Sequence, residues 1–127
     1  MSQETRKTRK YLANTFSLNM LTNVNSITLT IERLTVEDFC REISDAINSI
    51  GHASTASVIN TLCNTNLTSN RIEIKLHDGD ELIVFQLKMR PPEGKVYTTE
   101  ELIQLLNNNQ IEFLKVRVEK TVEISTI

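Results

Sequence analysis

Leu82-Ile83-Val84-Phe85-Gln86-Leu87 is the stretch that decides the fold. An extended chain sends successive side chains to opposite faces, so a strand apolar at consecutive positions must be covered on both. The run therefore predicts a central strand with helices packed over it. Before it, Ile72, Ile74 and Leu76 alternate with Glu73, Lys75 and His77, and the intervening Asp78-Gly79 reads as a hairpin turn. After it, Leu102, Ile103, Leu105 and Leu106 mark a helix opened by Thr98-Thr99-Glu100-Glu101. Ile111 to Val118 then predicts a last strand whose apolar phase slips between Phe113 and Leu114, the mark of a bulge.

Working toward the N-terminus, Val36, Phe39, Cys40, Ile43 and Ile47 recur at helical spacing behind Thr35-Val36-Glu37-Asp38. Ile27, Leu29 and Ile31 alternate with Thr28, Thr30 and Glu32 as in a half-buried strand, and Tyr11-Leu12-Ala13 is a short apolar strand. Asn14 to Leu21 fits neither period and predicts a structured loop. The expectation is a single α/β domain with a mixed sheet of about five strands flanked by helices. It spans residues 10–119, between a basic tail at 1–9 and a C-terminal tail at 120–127.

Composition narrows the function classes. Arg6, Lys7, Arg9 and Lys10 are four of the fourteen basic residues and Glu4 is one of the sixteen acidic ones, leaving residues 11–127 with ten positive against fifteen negative, net −5. An acidic body offers no broad basic face for duplex DNA or long RNA, so any nucleic-acid ligand must be short and held in a focused pocket. No apolar stretch is long enough for a membrane span or a signal core, which makes a soluble cytoplasmic protein the expectation. Cys40 and Cys63 fall on the apolar faces of two expected helices and read as reduced core residues. No G-x-G-x-x-G, Walker loop or nucleophile elbow occurs, so no cofactor is expected. His77-Asp78-Gly79-Asp80-Glu81 is explained by the turn, and no metal site is assigned.

The twenty-five residues from Ala46 to Asn70 contain no Asp, Glu, Lys or Arg, and Ile50-Gly51-His52 lies within that gap. Ser54 to Cys63 predicts a helix whose first turn holds only small residues and hydroxyls, leaving its N-H groups and positive dipole end available to an anion. The other two helices neutralise that end with their own acidic residues. Ser54 or Thr55 acting as a cap, with His52 a loop residue, accounts for the same letters. Arg71 and Arg90, leading into and out of the expected hairpin, complete a constellation that can bind a phosphodiester and supply a proton.

Tyr-Leu-Ala-Asn-Thr-Phe-Ser-Leu-Asn-Met-Leu at 11–21, Ile-Gly-His-Ala-Ser-Thr at 50–55, Asn-Arg-Ile-Glu-Ile-Lys at 70–75 and Gln-Leu-Lys-Met-Arg-Pro-Pro-Glu-Gly-Lys-Val at 86–96 together resemble the viral ring-nuclease family of type III anti-CRISPR proteins. The resemblance implies a homodimer that binds cyclic tetra-adenylate between subunits. It further implies cleavage without a metal to linear di-adenylate ending in a 2′,3′-cyclic phosphate. On it, His52 takes the place of the catalytic histidine, and Arg90 and Glu93 match an active-site arginine and glutamate. Asn70 and Arg71 match a second ligand-contacting pair, and Asn14, Ser17 and Asn19 fall on the ligand loop, with Gly51 and Ser54 flanking His52. Thr15 and Pro91 stand where the family usually has alanine and leucine. A non-catalytic sponge for the same ligand and a DNA-binding regulator using the basic tail are the competing readings.

Overall fold

In a computed structural model, residues 7–22 and 25–122 are described. Five strands form one mixed sheet: β1 (Lys10–Ala13), β2 (Ser26–Leu34), β3 (Ile47–Asn48), β4 (Glu81–Leu87) and β5 (Ile111–Val122), in the order β2-β5-β4-β1-β3. Three helices complete the domain: α1 (Val36–Glu42), α2 (Ala53–Cys63) and α3 (Thr99–Asn107). The central place expected for 82–87 is where β4 lies, parallel to β1 and antiparallel to β5. Alternation along these strands feeds two cores. Leu12, Ile83, Phe85, Ile111 and Phe113 point to the helical face, where they meet Phe39, Val58, Ile59 and Leu102. Phe113 is in ring contact with Phe39 at 4.6 Å and with Phe85 at 5.7 Å. Tyr11, Ala13, Leu82, Val84, Val116 and Val118 point the other way.

That second face is not covered by helices as expected, but by irregular chain carrying Phe16, Met20, Leu21, Ile74 and Leu76. The 72–87 hairpin is accordingly absent. Residues 72–76 contribute only a single parallel bridge, Leu21 to Leu76, because both edges of β4 are already taken by β1 and β5. The turn itself forms, with Asp80 N donating to His77 O at 2.9 Å. Only its third residue, Gly79 (φ +83°), has positive φ, whereas the turns that close two-residue hairpins need it at the second. The expected bulge between Phe113 and Leu114 is also absent. Pairing runs unbroken there, and the phase change records burial on both faces. The register instead shifts between Thr28 and Leu29, which pair with Lys120 and Val118 and leave Glu119 as the extra residue.

Other boundaries move for identifiable reasons. The first helix stops at Glu42, a 3-10 turn follows over Ile43–Asp45, and Ile47 belongs to β3 and not to the helix. Strand β5 runs to Val122, past the expected domain boundary at 119, because Ser26 and Ile27 pair with its end. Most of the basic tail and residues 123–127 lie outside the described residues. Cys40 and Cys63 are not reduced: they form a disulfide with a Cα–Cα distance of 5.2 Å, joining α1 to the last residue of α2. Two apolar helix faces that pack together bring the thiols within bonding reach, and spacing in sequence gives no sign of it. No helix among the described residues is long and apolar enough to cross a membrane.

Candidate functional site

The parallel strands β1, β3 and β4 all release their chains at one edge of the sheet, and the residues that leave them meet there. Open α/β sheets bind ligands outside the carboxyl ends of their strands for this reason. Asn14 and Thr15 follow β1, residues 49–52 follow β3, and Lys88 to Pro91 follow β4. Hydrogen bonds hold the segment after β3. Ser49 donates from both N and Oγ to Leu12 O (2.8 and 2.5 Å), Ile50 N donates to Asn48 Oδ1 (3.0 Å), and Gly51 N to Asn14 Oδ1 (3.4 Å). From the other side Asn70 N donates to Ile50 O (2.7 Å), and its Nδ2 to Asn48 O (2.8 Å). Arg71 Nη2 reaches Gly51 O at 3.1 Å. A Cβ on Gly51 would stand 3.2 Å from Arg71 Nε, so a side chain there would make the guanidinium shift by a few tenths of an ångström.

This bracing delivers His52 to the N-cap of α2, with φ −128° and ψ 132°. Neither Ser54 nor Thr55 is the cap, and the imidazole makes no capping hydrogen bond. The first turn carries no acidic residue. The contrast with the other helices is sharp. Thr35 accepts from Asp38 N at the start of α1, while Thr98 and Glu101 form a reciprocal capping box on α3 at 3.2 and 2.9 Å. The amides that open α2 thus keep their affinity for an acceptor supplied from elsewhere.

Two concavities flank the ridge made by Asn14, Thr15 and His52. One, of about 430 Å³, adds Ser54 and Thr55, the cations Lys88, Arg90 and Lys95, and the walls Phe85, Leu87 and Tyr97. The other, of about 450 Å³, adds Gly51, Arg71, Ile72 and Ile74. Neither lining contains a carboxylate. Lys95 bonds Glu101 at 2.8 Å and lies over the Tyr97 ring. That bond, with the Thr98 amide as a second donor, holds the Glu101 carboxyl below its ordinary range. Among the described residues, Arg71, Lys88 and Arg90 have no carboxylate partner. At the opposite end of the same strands three cations are paired: Lys10 and Lys115 flank Glu42 at 2.6 and 2.8 Å, and Arg117 meets Glu81 at 2.5 Å.

Of the residues anticipated from sequence, His52, Asn14, Ser54, Gly51, Arg71 and Arg90 come together here. Asn70 braces the loop without lining either concavity. Ser17 spends its hydroxyl on Asn19 N (3.2 Å), and Asn19 accepts Lys75 Nζ on its carbonyl (2.7 Å). Glu93 is not in the lining: it lies on an exposed turn closed by Lys95 N to Pro92 O, with Gly94 at φ +76°. Lys88, Lys95 and Tyr97 are additions that sequence reasoning missed. Lys88 had a legible signal, since it stands two positions before Arg90 where the apolar run ends.

Fold and site define a small five-stranded α/β protein with an uncompensated cationic cleft at the carboxyl ends of its parallel strands. The chain belongs to the STIV B116-like family, whose model matches residues 10–115. It is 35% identical over 114 residues to ORF116 of Acidianus filamentous virus 1, covering 88% of this chain and 97% of that protein. It is 38% identical over 63 residues to protein 26 of Sulfolobus islandicus filamentous virus, covering 50% and 53%. Among solved structures it is similar to B116 of Sulfolobus turreted icosahedral virus, with TM-score 0.69 and 38% identity, covering 86% of this chain and 98% of that one. Its relatives are thus viral proteins.

Proposed function

We propose that this protein is a ring nuclease that destroys the second messenger cyclic tetra-adenylate and so silences type III CRISPR defence. The observation that carries the reading is His52: an imidazole at a helix N-cap, uncommitted to capping, that lines one carboxylate-free cleft with Arg90. RNA can be cut by its own 2′-hydroxyl. The oxygen attacks the adjacent phosphorus in line and loses its proton to solvent, the P–O5′ bond breaks, and a 2′,3′-cyclic phosphate remains. The protein must fix that geometry, stabilise the equatorial oxygens and protonate the departing 5′-oxygen. His52 is the general acid, Arg90 the clamp, and the opening amides of α2 a second source of positive potential. None of these steps requires a metal ion.

A two-fold dimer belongs to this reading, because an isologous pair repeats the site in the way a ring repeats its adenylates. Exposed apolar side chains rim the cleft, including Met89 and Val96 on one concavity and Ile72 on the other. Such a rim suits a protein contact. Glu93, outside its own chain's cleft, then acts from the subunit boundary. The test is incubation of the pure protein with cyclic tetra-adenylate in EDTA followed by chromatography. Di-adenylate is the expected product. Intact ligand that co-elutes with the protein identifies a sponge, and ligand that neither binds nor breaks overturns the reading.

A further inference from the structure

We propose that Lys88 is a second phosphate-binding cation of this cleft, taking a phosphate adjacent to the one held by Arg90, so that the site selects ligands with two successive phosphodiesters. The inference rests on the nucleotide-ring reading and specifies its ligand. Three cations line the 430 Å³ concavity, yet Lys95 is already paired with Glu101 at 2.8 Å. Lys88 and Arg90 are left, both exposed and neither with a carboxylate partner among the described residues. Each of these two side chains is free to take a phosphodiester oxygen of its own. The Lys88 backbone is fixed, its amide donating to Gln110 O at 2.9 Å where β4 ends, so the side chain projects from a held position. Its point charge on a flexible stem suits a phosphate that must be bound but not cut, while the forked guanidinium of Arg90 suits the one whose geometry matters.

The experiment measures the affinity of the full-length protein for cyclic tetra-adenylate across a salt series, with single-turnover cleavage at saturation alongside. Lys88→Gln should weaken binding about tenfold and flatten the salt slope by about one unit, with the saturated rate near wild type. Lys88→Arg should restore both. In the Arg90→Gln background most of the Lys88→Gln loss should remain, since the two cations hold different phosphates of one ligand. The proposal is overturned if Lys88→Gln binds like wild type, if its loss vanishes when Arg90 is already replaced, or if Lys120→Gln on the distant end of β5 weakens binding equally. Wild-type protein that binds the ring without cutting it, and still shows the Lys88 effect, defeats the nuclease reading and leaves this one standing. No binding by wild type defeats both.

Discussion

His52 occupies a position where serine, threonine, aspartate or asparagine ordinarily bonds the opening amides of a helix, and its ring makes no such bond. A residue poor at capping, held there by six or more hydrogen bonds around it, points to a requirement other than stability. His52→Asn should raise stability by about 1 kcal/mol, read from a denaturant midpoint, while single-turnover cleavage falls about a hundredfold to ten-thousandfold. Ligand affinity should survive, because Arg71, Arg90 and the helix end remain. A His52→Asn protein that cleaves at close to the wild-type rate would remove His52 from the mechanism. Arg90→Ala, by contrast, should cut affinity by about 1.5 to 3 kcal/mol, the range of a charge-assisted hydrogen bond, without disturbing the fold. An exposed guanidinium with no carboxylate partner among the described residues has little to lose on truncation. Calorimetric titration separates the two substitutions.

At the scale of elements, α2 is the piece that must not move, since its first turn is part of the cleft and its last residue is Cys63. The Cys40–Cys63 bridge closes a segment with a sequence separation of 23 residues that contains β3, the Gly51-His52 loop and α2 itself. Constraining an unfolded loop of that size is worth about 3 kcal/mol in the chain-entropy account. Replacing both cysteines by alanine should cost the protein about that amount in a guanidinium melt. The helix should nevertheless persist, because Val58 and Ile59 are buried against Phe39 and the sheet independently of the bridge. A double variant as stable as wild type would mean that the bridge contributes nothing.

For the whole molecule, charge at the two ends of the parallel strands has consequences for pH and for association. At the end where Lys10 enters the sheet, hydrogen bonds from Lys10 and then Lys115 hold the Glu42 carboxyl below its ordinary value of 4.5. A depressed carboxylate stabilises the folded state above its unfolded pKa, and that contribution disappears as pH falls through the folded one. Thermal stability should therefore decline in acid below about pH 4.5, and Glu42→Gln should flatten that decline while lowering stability at neutral pH. An acid limb unchanged by the substitution would place the sensitivity elsewhere. At the cleft end, two cationic clefts facing each other would repel at low ionic strength unless an anion lay between them. Cyclic tetra-adenylate should thus shift a weak dimer toward a tight one, measurable as a change in sedimentation at micromolar protein. A monomer that retains full activity would refute the two-fold site.

Local patterning alone was enough to establish the α/β class, the central strand at 82–87, the caps on α1 and α3, and the small-residue opening of α2. Those features depend on neighbours within a few residues: alternation for a doubly buried strand, and hydroxyl-to-amide reach for a cap. His52 and Arg71 stood out for a related reason, because His52 is the one histidine within a long gap free of Asp, Glu, Lys and Arg, and Arg71 ends that gap. What only the tertiary structure decided was partnership. The choice of β1 and β5 over residues 72–76 as the neighbours of β4 depends on which edges are free once the chain has folded back. The Cys40–Cys63 bond depends on how two helices pack, and the exclusion of Glu93 from the cleft on the direction of one turn. Periodicity specifies which face of an element is apolar, but it carries no information about which other apolar face will meet it.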